Sequence, residues 1–572
     1  MRRLTVLMIG LVVVLAACGS AATTTPPASG EPVTSAAPGA TATAAGPSGG
    51  IVTIGLYQEP DNLNPYLAVQ TASRLVRRLA LEGLLEADPQ GNYVPGLAET
   101  VPTVENGGIS ADGLTITYKL KSGLKWSDGD PVTSADVKFT WELIMDPANK
   151  VNSQTGYNKI ASIATPDDTT VVVTFKELYA PALSLFSIKD AVLPAHVLQG
   201  KPLDGAEFNR LAEGTGPFRI TEWKSADSII ADRNPNFREA GKPALDRVVF
   251  KIIPSNEVGS AQIRSGEIDV LWNLTEAQIP EFEQIPDVAL QVTPSSNIEY
   301  LGLNLSMRGM ADPSMPHPIL GDKAVREALA AAIDRTPIVN DLLNGKTEVA
   351  TSPIGLGWAA PEGIEVPPYD PEKAKSLLEG AGWKDTDGDG IREKGGVKLS
   401  LEISTPAGSQ LRELTEQLLQ QQFKAVGVDL VINNVPAATL FGNWAENGKL
   451  KRGDFDIVMD TWGADLDPDD FLSTLFTSDQ IPTAANDGAG WNFFRLKDPA
   501  LDKAIADGRA SLDQNVRKAA YKTAAERIAE SLVYIPLYKR AVIDAFRTTV
   551  SGQQPNPWAE FTWNAKDWSR SQ

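Results

Sequence analysis

Hydrophobic and polar positions recur along this chain with two different periods. Leu114, Ile116, Tyr118 and Leu120 are separated by Thr115, Thr117 and Lys119. Alternation of this kind puts successive side chains on opposite faces, so the segment predicts a half-buried strand. Val171, Val173 and Phe175 repeat the pattern, as do Val397, Leu399, Leu401 and Ile403, and then Val428, Leu430 and Ile432. Elsewhere the spacing is helical. Val325, Leu329 and Ile333 share a face behind Asp322, whose side chain can accept from the first free N–H groups, and Pro337 closes the run. Asp370-Pro371-Glu372 opens another helix, which buries Ala374, Leu377 and Leu378 and stops at Gly380 or Gly382. Further helices are predicted over 409–424 and over 513–532, the second with Tyr521, Ala525, Ile528 and Leu532 on one face. Strands and helices interleave with no short repeat, so the fold class is mixed α/β.

Ordered structure is expected from Ile51 onward. Before it, Leu4–Leu15 is apolar and preceded by Arg2 and Arg3, too short to span a bilayer comfortably and built like a secretory signal. It ends in Leu15-Ala16-Ala17-Cys18, which resembles a bacterial lipobox and predicts cleavage before Cys18 and acylation of its thiol. Residues 19–50 are Ala, Thr, Pro, Ser and Gly apart from Val33 and one charge, Glu31, and read as a disordered tether.

The remaining composition mostly excludes. Cys18 is the only cysteine, so no disulfide, thiol nucleophile or cysteine zinc site is available. The two histidines, His196 and His317, have no metal-ligand spacing and read as loop or surface residues. The net charge is −20 and becomes two units more negative once Arg2 and Arg3 are removed, which argues against nucleic acid as a partner. There is no G-x-S-x-G elbow and no zincin helix. Gly345-Lys346-Thr347 is not a phosphate loop, because Asn340 stands where the first glycine is required.

The most specific segment runs from Tyr118-Lys119-Leu120-Lys121-Ser122-Gly123-Leu124-Lys125-Trp126 through Ser127-Asp128-Gly129-Asp130-Pro131 to Val132-Thr133-Ser134-Ala135-Asp136-Val137. It closely resembles the signature of family 5 extracellular solute-binding proteins, the dipeptide and oligopeptide binders. Other segments match in the family's order: Gly214-Thr215-Gly216-Pro217-Phe218, Ser265-Gly266-Glu267-Ile268-Asp269, Val325-Arg326-Glu327-Ala328-Leu329, Tyr369-Asp370-Pro371-Glu372, Trp462-Gly463-Ala464-Asp465-Leu466-Asp467-Pro468 and Ile535-Pro536-Leu537-Tyr538.

The resemblance implies a two-lobed fold of the type II periplasmic-binding-protein kind, with an extra domain on one lobe and a ligand enclosed between the lobes. The first lobe would be 51–86, 211–304 and 534–572, the extra domain 87–210, and the second lobe 305–533. Hinges are expected near Leu303-Asn304-Leu305 and Ile535-Pro536. It further implies a monomeric, non-enzymatic binding protein, lipid-anchored outside the cytoplasmic membrane, that hands peptide to the permease and ATPase of an ABC importer. An oligosaccharide or another small ligand is the alternative cargo, and a secreted hydrolase is the rival from another class. Asp465 is expected to pair with a ligand α-ammonium and Trp462 to line the cleft. Asn64 and Tyr66 match a loop that approaches ligand in the family. Trp358 and Trp491, in glycine-rich sequence, are further candidates. Arg308 and Arg495 are the cations considered for a ligand carboxylate, with neither assigned. No cofactor is expected. Asp385, Asp387 and Asp389 alternate like the ligands of a structural calcium loop, but Gly396 stands where the bidentate Glu belongs, which leaves a polar hairpin as the other reading.

Overall fold

The computed structural model describes residues 49–571 apart from 69, 311 and 312. The signal segment, Cys18 and nearly all of the tether lie outside the described residues. Among the described residues no helix is long and apolar enough to cross a membrane.

A ten-stranded sheet runs through the molecule. From one edge its order is Asp429–Ile432, Ser400–Ser404, Ile457–Gly463, Val288–Leu303, Tyr534–Arg547, Val270–Leu271, Ile51–Leu56, Arg247–Ile252, Ser228–Arg233 and Phe218–Lys224. The mixed α/β class therefore holds. Parallel strands are linked through helices, as such crossovers require. Asn256–Ser265 links Arg247–Ile252 and Val270–Leu271, which both pair parallel to Ile51–Leu56 between them, and Gln410–Lys424 links Ser400–Ser404 to its parallel neighbour Asp429–Ile432.

Two strands belong to both halves. Val288–Leu303 and Tyr534–Arg547 pair antiparallel, from Val288 opposite Arg547 to Gly302 opposite Tyr534. At one end Val288, Leu290, Val292, Ile543 and Ala545 pack with Ile263, Ile268 and Phe282 of the first half. At the other, Leu301, Leu303, Ile535 and Leu537 join the core built on Leu401, Leu419 and Leu430. The ladder breaks in between. Pro294 pairs with Ala541, and the next pair is Ile298 with Lys539. Proline cannot donate to a ladder and is accommodated at such bulges.

Leu303 and Asn304 are fully buried and Ile535 nearly so, inside the second half. Asn304 Nδ2 is held by the Phe455 carbonyl at 2.9 Å. The register of the two strands slips twice, between Pro294–Ala541 and Ile298–Lys539 and again between Glu299–Tyr538 and Tyr300–Pro536, so the second irregularity adjoins the expected Ile535-Pro536 hinge.

The segment 87–210 carries its own three-stranded sheet of Thr115–Lys119, Thr170–Phe175 and Ile160–Asp167. Its apolar face is continuous with the first half, because Tyr118, Trp126 and Val173 share a cluster with Val52, Leu75 and Phe250.

Local signals set the helix starts. Asp370 accepts the Lys373 N–H at 2.8 Å, and Asp322 accepts that of Ala324 at 3.0 Å. The predicted helices over 409–424 and 513–532 appear as Gln410–Lys424 and Gln514–Ser531, each preceded by its cap, Ser409 or Asp513. The predicted strand from Val397 is split. Val397–Lys398 turns back on Glu393–Lys394, and Ser400–Ser404 enters the main sheet. His317 lies in a loop, as expected, but not at the surface. It is buried at 4% exposure, its Nδ1 accepts the N–H groups of Ile319 and Leu320, and its Nε2 meets Asp456 at 3.1 Å. Acceptance at Nδ1 puts the proton on Nε2, so this histidine fastens a turn.

Candidate functional site

A cleft of about 870 Å³ opens between the two halves, over the bulge of the crossing strands. The first half supplies Gln58, Arg74, Trp272, Asp544, Trp558 and Glu560, and Lys189 reaches in from the inserted segment. The second half supplies Arg412, Thr461, Trp462, Gly463 and Asp465. A smaller hollow of about 210 Å³ shares Lys189, Ser296, Asp465 and Trp558 and extends the cleft toward Ser187 and Asp470.

Asp465 sits where the strand Ile457–Gly463 ends and the chain turns toward the helix Asp469–Phe476. Its side chain is 68% exposed to the water in the cleft although protein surrounds it on both sides. Lys189 forms a close ion pair with it across the opening. The Lys189 ammonium holds the Asp465 carboxyl below the usual carboxylate range, against the opposing effect of desolvation. The neighbouring acids do structural work. Asp467 accepts the Asp469 N–H at 3.1 Å and takes a bidentate grip from Arg517 at 2.6 and 2.7 Å. Asp469 is held by Arg509 at 2.9 Å and by Tyr521 at 3.0 Å.

Trp462 lines the cleft half-buried. Trp491 stands behind it edge-on at 5.5 Å, with the Lys451 ammonium 4.1 Å above the Trp491 ring. Trp491 is thus a buttress and does not line the cleft. Trp358 is also set back. Its indole N–H donates to the Leu466 carbonyl at 3.0 Å and its ring lies under Arg517, so it positions the loop that carries Asp465.

Asn64 and Tyr66 are away from the cleft. Asn64 is fully buried and its Oδ1 accepts the Tyr66 N–H at 3.0 Å. Tyr66 is 4% exposed, with its hydroxyl spent on the Ala191 carbonyl at 2.7 Å and its ring edge-on to Tyr157. An Asx turn tucks this loop into the first core. Arg308 and Arg495 are absent from the cleft too. Arg308 joins Glu402 at 2.9 Å and Asp454 at 3.0 Å, and Arg495 is buried against the carbonyls of Phe493 and Lys451.

The cations that do face the cleft are Arg74, Lys189, Arg412 and Arg540. Arg412 and Arg540 converge on Glu299, which is fully buried, at 2.6 and 3.1 Å. Arg412 also reaches the Thr461 hydroxyl at 2.9 Å. Burial pushes nearby Asp460 up to about 6, although Arg412 works against the shift. Arg74 pairs with Glu560 at 2.7 Å. No local sequence signal marked these residues or Trp558. Each is an ordinary polar or aromatic position until distant segments meet.

The aspartate loop forms a compact hairpin. Asp385 accepts the N–H groups of Gly388 and Gly390 at 2.7 and 3.0 Å, and Asp389 accepts that of Ile391 at 2.8 Å. Lys398 pairs closely with Asp389. The three ligand atoms that do converge belong to Asp385, Asp387 and Glu393, so Asp389 is not one of the set.

The family model of bacterial extracellular solute-binding proteins, family 5, matches residues 92–483. The chain belongs to this family. The oligopeptide-binding protein AppA of Bacillus subtilis (strain 168) is 30% identical over 501 residues, covering 86% of each chain. The solved structure of AppA in complex with a nonapeptide superposes with a TM-score of 0.71 at 28% identity, covering 92% of this chain and 99% of that one. NikZ from Campylobacter jejuni in complex with Ni(L-His) gives 0.73 at 27% identity, covering 91% and 99%. The fold of this solute-binding protein is therefore the two-lobed, type II periplasmic-binding-protein kind. As a family 5 protein it is an extracytoplasmic binding component and not an enzyme, which removes the hydrolase alternative.

Proposed function

We propose that this solute-binding protein captures peptides between its lobes and delivers them to an ABC permease, held at the outer face of the membrane by an acylated Cys18. One ligand binds per monomer. The observation that carries the reading is the charge layout of the cleft. Asp465 stands on one wall and four basic side chains line the same space. A zwitterionic chain with an ammonium at one end and a carboxylate at the other needs both signs. Asp465 takes the α-ammonium by exchanging it for Lys189, and Trp462 and Trp558 wall the side chains between them. The AppA relative, whose solved structure holds a nonapeptide, supports peptide cargo.

Closure follows from differential affinity. A ligand touching both lobes stabilises the closed form, and hinging at the bulge lets the halves meet without disturbing either core. Water expelled from the cleft leaves polar groups that the peptide's own main chain can satisfy.

Isothermal titration calorimetry with di- to nonapeptides, glutathione, Ni(L-His) and oligosaccharides tests this. Binding of unmodified peptides, lost on acetylation of the α-amine, is the expected result. Oligosaccharide or metal-complex binding with no peptide binding would retain the family role and overturn the peptide cargo.

A further inference from the structure

The first-half wall of the cleft contains polar groups with nothing to bond to. Asp544 is fully buried on the strand Tyr534–Arg547, which lines the cleft with Arg540, Ala541, Val542 and Asp544. One of its carboxylate oxygens accepts the Asn273 N–H at 2.8 Å. The other, Oδ2, has no hydrogen-bond partner. On the paired strand Gln291 lies opposite Asp544 and Thr293 opposite Val542. Gln291 Nε2 and Thr293 Oγ1 are also buried without partners. The intervening residues Val292, Ile543 and Ala545 go to the apolar cluster on the other side. Strand register therefore gathers a carboxylate oxygen, a hydroxyl and an amide nitrogen, all desolvated and unused, on one face of the crossing ribbon.

Buried polar groups without partners are uncommon in native proteins, and a cluster of them marks a place where something else binds. Burial pushes the Asp544 carboxyl up to about 7, with Glu560 adding repulsion and the Asn273 N–H opposing it. The cations lining the same cleft have other carboxylates: Arg540 has Glu299, Arg74 has Glu560 and Lys189 has Asp465.

We propose that Asp544, with Thr293 and Gln291 beside it, receives a basic side chain of the captured peptide, a lysine ammonium or an arginine guanidinium, at a point separate from Asp465. The proposal rests on the peptide reading above and adds a selectivity to it. An ammonium brings three donors and no acceptor, which suits Asp544 Oδ2 and Thr293 Oγ1. A ligand with an apolar side chain there leaves Oδ2 unpaired, and that loss is the discrimination.

The test uses alanine-based nonapeptides in which one lysine is walked along the sequence, each matched by a norleucine peptide of the same shape without the charge. Affinities are measured by calorimetry on the wild-type protein and on Asp544→Asn, with melting curves to verify folding. At one peptide position the wild type should favour lysine at least tenfold, and Asp544→Asn should lose that preference while still binding the norleucine peptide. Asp465→Asn should weaken both peptides alike and keep the preference. Equal binding of lysine and norleucine peptides at every position, or a preference that survives Asp544→Asn, overturns this inference alone. Failure of every peptide to bind the wild type overturns the peptide reading together with it.

Discussion

Two carboxylates on opposite walls of one cleft are displaced in opposite directions. Lys189 lowers the Asp465 carboxyl, and burial raises that of Asp544 to about 7. Asp465 is mostly solvated, so its ion pair adds little stability. Asp465→Asn should leave the melting temperature within a degree or two by calorimetry while weakening peptide binding at least tenfold. Asp544 should behave in the reverse way. An acid whose folded pKa lies above its unfolded value of about 3.9 stabilises the fold below that value, and the contribution is lost as pH rises through about 7. Urea denaturation should therefore show Asp544→Asn gaining on wild type between pH 5 and pH 8, by at most about 3 kcal/mol. Comparing the two proteins at each pH cancels the other titrating groups. A variant that is more stable at pH 8 yet less selective would be a trade of stability for function. Glu299 is different again, since its charge is matched by Arg412 and Arg540. Arg412→Ala leaves a buried carboxylate half-compensated and should cost about 3 kcal/mol in the same assay.

Elements were legible where their causes are local. Asp370, Pro371 and the apolar positions after them sit within one turn or two, so the helix Pro371–Gly380 could be read directly. Asp370→Ala removes the acceptor for the Lys373 N–H and should cost about 1 kcal/mol in urea denaturation. The Val397 strand was misread because alternation continues across Leu399 while the chain changes partners there, and pairing partners lie in other segments. The crossing strands show the same limit. The resemblance put hinges near Leu303-Asn304-Leu305 and Ile535-Pro536, and the ladder slips both near Pro536 and between Pro294 and Ile298, a detail that only the pairing of distant strands reveals. Asn64 and Tyr66 were placed at the ligand by their position after the first strand. A hydrogen bond to Ala191, over a hundred residues away in sequence, turned the tyrosine inward instead.

At the scale of the molecule, ligand and fold are coupled by mass action. A peptide bound only by the folded protein should stabilise it by about 2.7 kcal/mol at a hundredfold excess over Kd, seen as a rise in melting temperature. Small-angle scattering should show compaction on binding, because a ligand that touches both lobes stabilises the closed form. The stretch around Asp465 is rich in aspartate. In the folded chain most of those acids are spoken for, Asp454 and Asp456 by Arg308 and His317, Asp467 and Asp469 by Arg517 and Arg509. What faces the cleft is a balanced set of charges drawn from both halves.

The sequence alone determined the α/β class, the helix starts and the family, because periodicity, caps and ordered motifs are properties of short segments. It also marked Asp465 and Trp462, which one motif carries together. Tertiary structure alone decided which cations, which second tryptophan and which unpaired carboxylate share the space with them. Those groups come from segments hundreds of residues apart, and only the pairing of the two crossing strands sets their faces toward one another.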